Sequence, residues 1–221
     1  MSTSPGYTPE ELATKLPPPP DATVLQARLR TEDIVTLSAG IRLWHIYKRG
    51  GAYPVQWSDF RHFGPIDARY DHHQPPSRAQ ARGILYLATH ISTCPADIFQ
   101  ATRDIDRTHN LPWLVAHEAT RDVTVLDLTQ AWPTRVGASM VINDGPRAIT
   151  RQWSAAIYDA YPHIDGLLYT SSMSKHEPRI ALYERGHNSL PRHPSLDRAL
   201  SDPGLFDTLA AVADDMSYTL T

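Results

Sequence analysis

Two side chains that could do chemistry lie eleven residues apart in the stretch GILYLATHISTCPADIF, residues 83–99. Tyr86 falls within the apolar run GILYLAT, and Asp97 follows the short polar turn after it. A partly buried carboxylate stabilises developing positive charge, and an aromatic face binds cationic groups. Taken singly, a tyrosine in a strand usually packs in the core, and an aspartate early in a helix usually favours the helix dipole. Chemistry therefore requires that both side chains face one pocket.

A second polar stretch, Asp71-His72-His73, has nitrogen and oxygen atoms of the kind that bind metal ions, and His62 and His90 lie near it in the sequence. Adjacent side chains seldom point at one ion, and neither an HExxH motif nor a His-x-His pair accompanies them. We expect a polar loop or a substrate-contacting loop here, and no metal site.

Cys94 is the one cysteine of the chain, which excludes an intramolecular disulfide and a multi-cysteine zinc site. Its place near a predicted helix start could lower the pKa of a thiol. Its apolar neighbours favour a small buried core residue instead.

Several common functional classes lose their sequence support. The chain has no GxGxxG after a strand, no GxxxxGK[ST] and no GxSxG, the motifs of dinucleotide-binding Rossmann folds, P-loop proteins and α/β-hydrolases. A formal net charge of −3 lacks the excess of basic residues that duplex DNA binding usually requires. We expect no direct binding to nucleic acid.

The N-terminal residues differ in composition from the rest of the 221-residue chain. Residues 1–22 are polar and contain the run Pro17 to Pro20, so they predict a flexible proline-rich tail before one globular domain over 23–221. No apolar core of a signal peptide and no run of 18 apolar residues is present. We therefore expect a cytoplasmic protein without a membrane segment.

The elements that must position these residues follow from hydrophobic spacing. Helices are predicted from Ser92 or Thr93, over 149–160, and after the Asp202-Pro203 pair. Apolar or alternating runs predict strands at 83–89, 111–120, 123–129, 165–172 and 179–185. This mixed order favours the α+β class over a doubly wound α/β sheet.

Six segments between Leu43 and Glu184 together resemble one known family: LWHIY, ARYDHH, ILYLA, CPADIF, LYTSS and IALYER. The resemblance is to the RES domain family, whose members degrade NAD as the toxins of bacterial toxin–antitoxin pairs. It implies a fold similar to ADP-ribosyltransferases, with a mixed β-sheet core flanked by helices.

The resemblance carries over onto particular residues. The family's strand tyrosine falls on Tyr86, and its acidic residue falls on Asp97. The family's serine, in a pattern like GIxYPS, falls on Ser171 of GLLYTS, and its GRWN segment falls on ARYD, which contains Arg69 and Tyr70.

Two positions depart from the family pattern. His45 stands where the family has an arginine, in LWHI against a pattern like LYRI, and Asp97 stands where it has a glutamate. A group that titrates near neutrality thus replaces a fixed cation, and the carboxylate arm is one methylene shorter. ADP-ribosyltransferases similar to diphtheria toxin surround NAD with histidine, tyrosine and an acid, an arrangement that His45, Tyr86 and Asp97 would approximate.

By this resemblance the chain is an enzyme that consumes NAD as its substrate by cleaving the nicotinamide–ribose bond. The implied catalytic residues are Asp97, Ser171 and Tyr86, and the implied NAD-binding residues are His45, Arg69, Tyr70 and Tyr86. Hydrolysis and phosphorolysis stay open, as do ADP-ribosyl transfer to a macromolecule and a catalytically impaired nucleotide-binding module. The implied partner is a helix-turn-helix antitoxin, and assembly of the chain with itself is left open.

Overall fold

The computed structural model describes residues 16–170 and 177–221. In this part of the chain the α-helices are α1 (Ala22–Arg28), α2 (Thr93–Ile98), α3 (Trp132–Arg135), α4 (Arg147–Ala160) and α5 (Phe206–Met216). The strands are β1 (Ile34–Leu37), β2 (Arg42–Lys48), β3 (Arg61–Gly64), β4 (Arg78–Ala88), β5 (Asp104–Ile105), β6 (Pro112–Glu118), β7 (Val123–Asp127), β8 (Gly166–Thr170), β9 (Pro178–Tyr183), β10 (Leu196–Ala199) and β11 (Thr219–Leu220).

Among the described residues, nine strands form one mixed sheet in the order β1-β7-β8-β9-β4-β2-β6-β10, with β3 paired to β4 as well. The β7–β8 pair is parallel and the other pairs of this sheet are antiparallel. Parallel neighbours need a long crossover connection, and here it contains α3 and α4. The predicted α+β class, with a mixed sheet flanked by helices, is confirmed.

The register of the central strands decides which side chains share a face. Tyr169 pairs with Arg179, and Arg179 pairs with Ala88. Tyr86 lies two residues before Ala88 and therefore points to the same side. We call this side, with Tyr86, Ala88, Tyr169 and Arg179, the helix face. The opposite side is the far face, defined by Leu43, His45, Leu85, Leu87, Leu168 and Ile180.

Two groups of helices cover the helix face. Trp153 and Ile157 of α4 belong to one core cluster with the helix-face strand residues Leu167 and Ala181. Residues of α2 and α5 form a second cluster with Ile46 of β2. The far face is packed by a third cluster of aliphatic residues.

The sheet opens where β2 leaves β4. These strands are paired only at Trp44 and Ala88, whereas β2 follows β6 over its whole length of seven residues. Farther along β4, its edge pairs with β3, beginning at Ile84. The intervening edge of β4, residues 85–87, has neither β2 nor β3 in register beside it, which leaves room between the strands.

The predicted elements are present with small shifts of their ends. The predicted strands appear as β4, β6, β7, β8 and β9, and the predicted helices as α2, α4 and α5. Ser92 occupies the N-cap position of α2, but its hydroxyl bonds the His90 ring at 2.7 Å instead of capping the helix. Asp202 caps the 3-10 turn Pro203–Leu205 just before α5, since its carboxylate accepts from the Gly204 N–H at 2.8 Å.

The start of the described chain contacts the core. Leu16 is fully buried, and the Pro17 carbonyl accepts a hydrogen bond from the Trp153 indole at 2.7 Å. Residues 1–15 lie outside the described residues, so the boundary between tail and domain at residue 22 stays a prediction. In the described part of the chain, no helix has the length and apolar character to cross a membrane.

Candidate active site

A cavity of about 810 Å³ lies where β2 diverges from β4. Its volume falls in the range of about 300–1,000 Å³ that is usual for small-molecule sites. The polar groups of its wall include Asp97 of α2, Tyr86 of β4, Arg61 of β3 and Arg179 of β9, and aliphatic and aromatic side chains supply most of the rest. The cavity therefore offers a few charged groups in an otherwise apolar space.

Asp97 faces this cavity from the fifth residue of α2. Its carboxylate forms an ion pair with the Arg179 guanidinium, and about a third (31%) of the Asp97 side chain stays exposed. The acid is thus held in place and still accessible to a ligand.

Arg179 is the most deeply buried charge of the site, with 4% of its side chain exposed. Its Nη1 pairs with Asp97. Its Nη2 donates to the carbonyl of Thr93, in the first turn of α2, at 2.7 Å. Its Nε has no hydrogen-bond partner. Strand β9 is in this way tied to the helix that carries the acid.

Tyr86 forms part of the wall on the helix face. Its hydroxyl donates to the Arg69 carbonyl at 2.7 Å. Burial raises the pKa of the Tyr86 phenol well above its usual value, against the opposing effect of the nearby Arg61. The phenol therefore stays neutral at physiological pH.

Arg61 adds a second guanidinium at the cavity. Its Nη2 forms an ion pair with Oδ2 of Asp71, at 3.1 Å. Behind it, Asp71 is fully buried and bonds the His73 ring at 2.5 Å and the Ile66 N–H at 2.7 Å. Burial raises the pKa of the Asp71 carboxyl, but these bonds and Arg61 outweigh it and bring the pKa to about 2.

Asp71, His72 and His73, whose side chains are of the kind that binds metal ions, make other contacts. His73 bonds Asp71, and His72 packs between aromatic rings. Within the described ranges no group of three or more His, Cys, Asp or Glu could hold a metal ion. Cys94 lines the cavity but is buried, and this burial raises the pKa of its thiol to about 12.

His45 borders the cavity but belongs to a different face of the sheet. Strand alternation places it on the far face, opposite Tyr86 and Arg179. Its ring is 6% exposed, and neither ring nitrogen has a hydrogen-bond partner. Burial and the neighbouring His117 lower the pKa of His45 to about 3, although the Trp57 backbone raises it slightly. His45 is thus a neutral group at neutral pH.

Arg69 and Tyr70 support the wall from behind and do not line the cavity. The Arg69 guanidinium donates to the Gly145 carbonyl at 2.8 Å. Tyr70 is fully buried, its hydroxyl donates to the Asn143 side chain at 2.9 Å, and its ring packs on Tyr169 at 4.6 Å between centroids. The prediction that Arg69 and Tyr70 contact NAD directly does not fit this arrangement. The two residues instead hold Tyr86 and Tyr169, which line the cavity.

Ser171 lies outside the described residues. Its predicted convergence with Asp97 stays a prediction. The described residue before it, Thr170, ends strand β8, next to β9.

The structure thus brings Tyr86 and Asp97 together on the helix face and adds Arg61, Tyr169 and Arg179, which the sequence interpretation missed. Arg179 had a readable signal, because it begins the apolar run RIALY and a charge on a buried strand needs a partner. Arg61 had none, since it lies in an irregular region without periodicity.

Comparison with known proteins identifies the family. The sequence model of the RES domain matches residues 42–203, most of the chain. The chain belongs to the RES domain family. Among solved structures, the fold of this RES domain is similar to a chain of the M. tuberculosis MbcT-MbcA toxin-antitoxin complex, with a TM-score of 0.54 and 16% sequence identity over 86% of this chain and 96% of that one. A search of curated proteins found no match to this chain. The RES resemblance inferred from the sequence is confirmed.

Proposed function

We propose that this RES domain cleaves the nicotinamide–ribose bond of NAD. The observation that carries the proposal is the Asp97 carboxylate, held by Arg179 and facing a cavity of about 810 Å³ beside an aromatic wall. Membership of a family whose known members consume NAD supports the same choice of substrate.

The chemistry suits this arrangement. Breaking the bond sends its electron pair to the nicotinamide nitrogen and leaves positive charge on the sugar, as in glycoside hydrolysis. A carboxylate fixed beside that carbon stabilises the charge, and its effect is larger in an apolar cavity than in water. We assign this role to Asp97 and a positioning role to Ser171.

Binding requires groups for both the cationic ring and the anionic pyrophosphate. The ring of Tyr86 offers an aromatic face, worth about 0.5–2 kcal/mol toward a cation. For the pyrophosphate we prefer Arg61 to Arg69, because the Arg61 side chain lines the cavity and that of Arg69 does not. His45, as a neutral ring, suits a ribose hydroxyl better than a phosphate.

Release of nicotinamide from NAD tests the proposal. Purified protein is incubated with NAD, with and without phosphate, and nicotinamide is followed over time. Release is expected from the wild type and not from Asp97→Asn. Faster release with phosphate, yielding ADP-ribose 1″-phosphate, identifies phosphorolysis, and release of free ADP-ribose identifies hydrolysis. Labelled NAD that marks a protein covalently identifies transfer, and NAD binding without any product contradicts the proposed activity.

We further propose that the chain acts in the bacterial cytoplasm as the toxin of a toxin–antitoxin pair, since the similar solved structure is described as such a complex. Five exposed apolar side chains line the cavity and would suit a partner that covers it: Tyr53, Val55, Phe63, Ile66 and Ile98. Expression of the chain alone should deplete cellular NAD and stop growth. Co-expression of a helix-turn-helix protein encoded beside it should restore growth, and continued growth without such a partner would contradict the toxin role.

A further inference from the structure

We propose that Arg179 both positions the Asp97 carboxylate and binds the substrate directly, by donating its unused Nε–H to an oxygen of the dinucleotide. This inference rests on the proposed function. It adds a residue that the family resemblance, as read from the sequence, does not include.

The position of Arg179 is fixed by the sheet. It pairs with Ala88 on one side and with Tyr169 on the other, in the row of residues that crosses the helix face below the cavity. From there its side chain reaches α2 and contacts both ends of the short segment from Thr93 to Asp97. The guanidinium therefore determines how far α2, and with it the carboxylate, stands from the sheet.

The donors of Arg179 are only partly used. A guanidinium has five N–H donors in a planar fork. Nη1 and Nη2 have partners, whereas Nε is buried and has none among the described residues. An unsatisfied buried donor is costly in a folded protein, and its presence calls for an explanation. The same side chain lines the cavity, so a small shift of the guanidinium on binding would bring Nε to an oxygen of the ligand.

The alternative is that Arg179 serves only as a strut between β9 and α2. A strut needs the charge and the two Nη donors, but it does not need Nε. Lysine keeps the charge beside Asp97 and lacks a donor at the position of Nε. Because a single ammonium does not replace both Nη donors, Arg179→Lys is compared with Arg179→Gln: the melting temperature and kcat report the strut, and the Kd of ADP-ribose reports the Nε contact.

A cation on the helix face is also needed because His45 does not supply one. The His45 ring lies on the far face and is neutral at physiological pH. Arg179 reaches the carboxylate from β9 instead, on the same face as Tyr86.

The experiment compares wild type, Arg179→Lys and Arg179→Gln with the control variants Arg121→Lys and Arg121→Gln. Arg121 forms a bidentate ion pair with Asp165, at 2.7 and 2.8 Å, and does not line the cavity. The measurements are the Kd of ADP-ribose by calorimetry, kcat and KM for nicotinamide release, and the melting temperature.

In Arg179→Lys we expect the Kd of ADP-ribose to rise about 10-fold or more, with a smaller change in kcat, because the Nε–H contact is lost. In Arg179→Gln we expect the Kd to rise as well and kcat to fall by about 100-fold, since Asp97 is no longer held. The Arg121 variants should lower the melting temperature and leave Kd, KM and kcat unchanged.

An Arg179→Lys protein with the Kd and KM of the wild type would overturn the inference, and so would a wild type that binds no ADP-ribose. A wild type that binds ADP-ribose but releases no nicotinamide would contradict the proposed function alone. In that case a weaker Kd in Arg179→Lys would still support the binding role of Arg179.

Discussion

An acidic side chain lies near each end of the β4–β9 ladder, and the two acids differ in how many of their possible partners the protein supplies. At one end, next to the Ala88–Arg179 pair, Asp97 faces the cavity. At the other end, Glu184 accepts from the Gly83 N–H at 2.8 Å and from the Tyr158 hydroxyl. His72 completes the Glu184 cluster (His72, Tyr158 and Glu184), with its Nε2 3.8 Å from the carboxylate.

The Glu184 carboxylate has a hydrogen-bond donor at each oxygen, whereas both ring nitrogens of the neighbouring His72 have no hydrogen-bond partner. Burial raises the pKa of Glu184, but His72, Tyr158 and the Gly83 N–H outweigh it and bring the pKa to about 2. Each carboxylate oxygen has its donor within the protein. The Asp97 end, by contrast, keeps one guanidinium nitrogen, Nε of Arg179, without a hydrogen-bond partner at a side chain that lines the cavity. Saturated charges stabilise a fold, whereas unsatisfied donors around a cavity are typical of a binding site.

Exchanging one carboxylate for an amide at each end gives the largest expected contrast. Asp97→Asn should lower the rate of nicotinamide release by about 100- to 1,000-fold, because the preorganised charge is removed. Glu184→Gln should cost about 1–3 kcal/mol of unfolding free energy, since buried donors lose a charged acceptor, and should leave kcat/KM unchanged. Nicotinamide assays and urea unfolding of both variants check this, and the opposite pattern would reverse the assignment of the two ends.

Replacing Arg61 by lysine sharpens the role of the second cavity guanidinium. The ion pair with Asp71 is kept, but the planar fork is lost, so the KM for NAD should rise about 10-fold while kcat changes less. Arg82→Lys is the matched control, because Arg82 pairs with Asp159 away from the cavity. Equal KM values for the two variants would exclude Arg61 from pyrophosphate binding.

Acid should destabilise the protein through its buried histidines. Burial lowers the pKa of three histidines. The pKa falls to about 3 for His45 and to about 4 for His117, and it is lowered for His72 as well. Their unfolded forms titrate near 6.5, so below that pH the unfolded state binds more protons than the folded state. The stability is complete above pH 6.5 and should fall by up to about 1.4 kcal/mol per pH unit for each histidine as the pH decreases.

The variant His117→Leu isolates one of these protons. Both nitrogens of His117 lack hydrogen-bond partners, so an aliphatic side chain leaves no buried group unsatisfied. Urea unfolding between pH 7 and pH 5 should show a shallower loss of stability in this variant. A wild-type stability that stays constant across this range would show that these rings are not neutral in the folded protein.

The smallest expected effect concerns the hydroxyl of Tyr86. This hydroxyl donates to the Arg69 carbonyl and does not point into the cavity. Tyr86→Phe should therefore leave the KM for NAD nearly unchanged. Tyr86→Leu removes the aromatic face and should raise KM by about threefold or more. If both variants raise KM equally, the hydroxyl and not the ring contacts the substrate.

The sequence predicted the central elements well because their signals are local. The alternation in GILYLAT, the apolar spacing of 149–160 and the Asp202-Pro203 pair each define an element without reference to distant residues. Strands β1, β3 and β10 escaped prediction, since they are four residues long and only partly buried, with weak alternation. Strand β2 escaped it too, because its seven residues do not alternate cleanly between buried and exposed positions.

The site was only partly predictable because it depends on register. The family resemblance predicted Tyr86 and Asp97. The placement of His45 on the far face follows from the pairing of its neighbour Trp44 with Ala88, which puts Trp44 on the helix face. A shift of one residue would reverse it. The pairing of β3 with β4 places Arg61 at the cavity, and no local sequence pattern predicts this pairing.

The most direct test of the central claim is a crystal structure of Asp97→Asn grown with NAD. We expect the nicotinamide riboside beside residue 97 and the ring of Tyr86, the pyrophosphate near Arg61, and Arg179 Nε within hydrogen-bond distance of the ligand. A dinucleotide bound outside this cavity, away from residue 97 and Tyr86, or an empty cavity at saturating NAD, would contradict it.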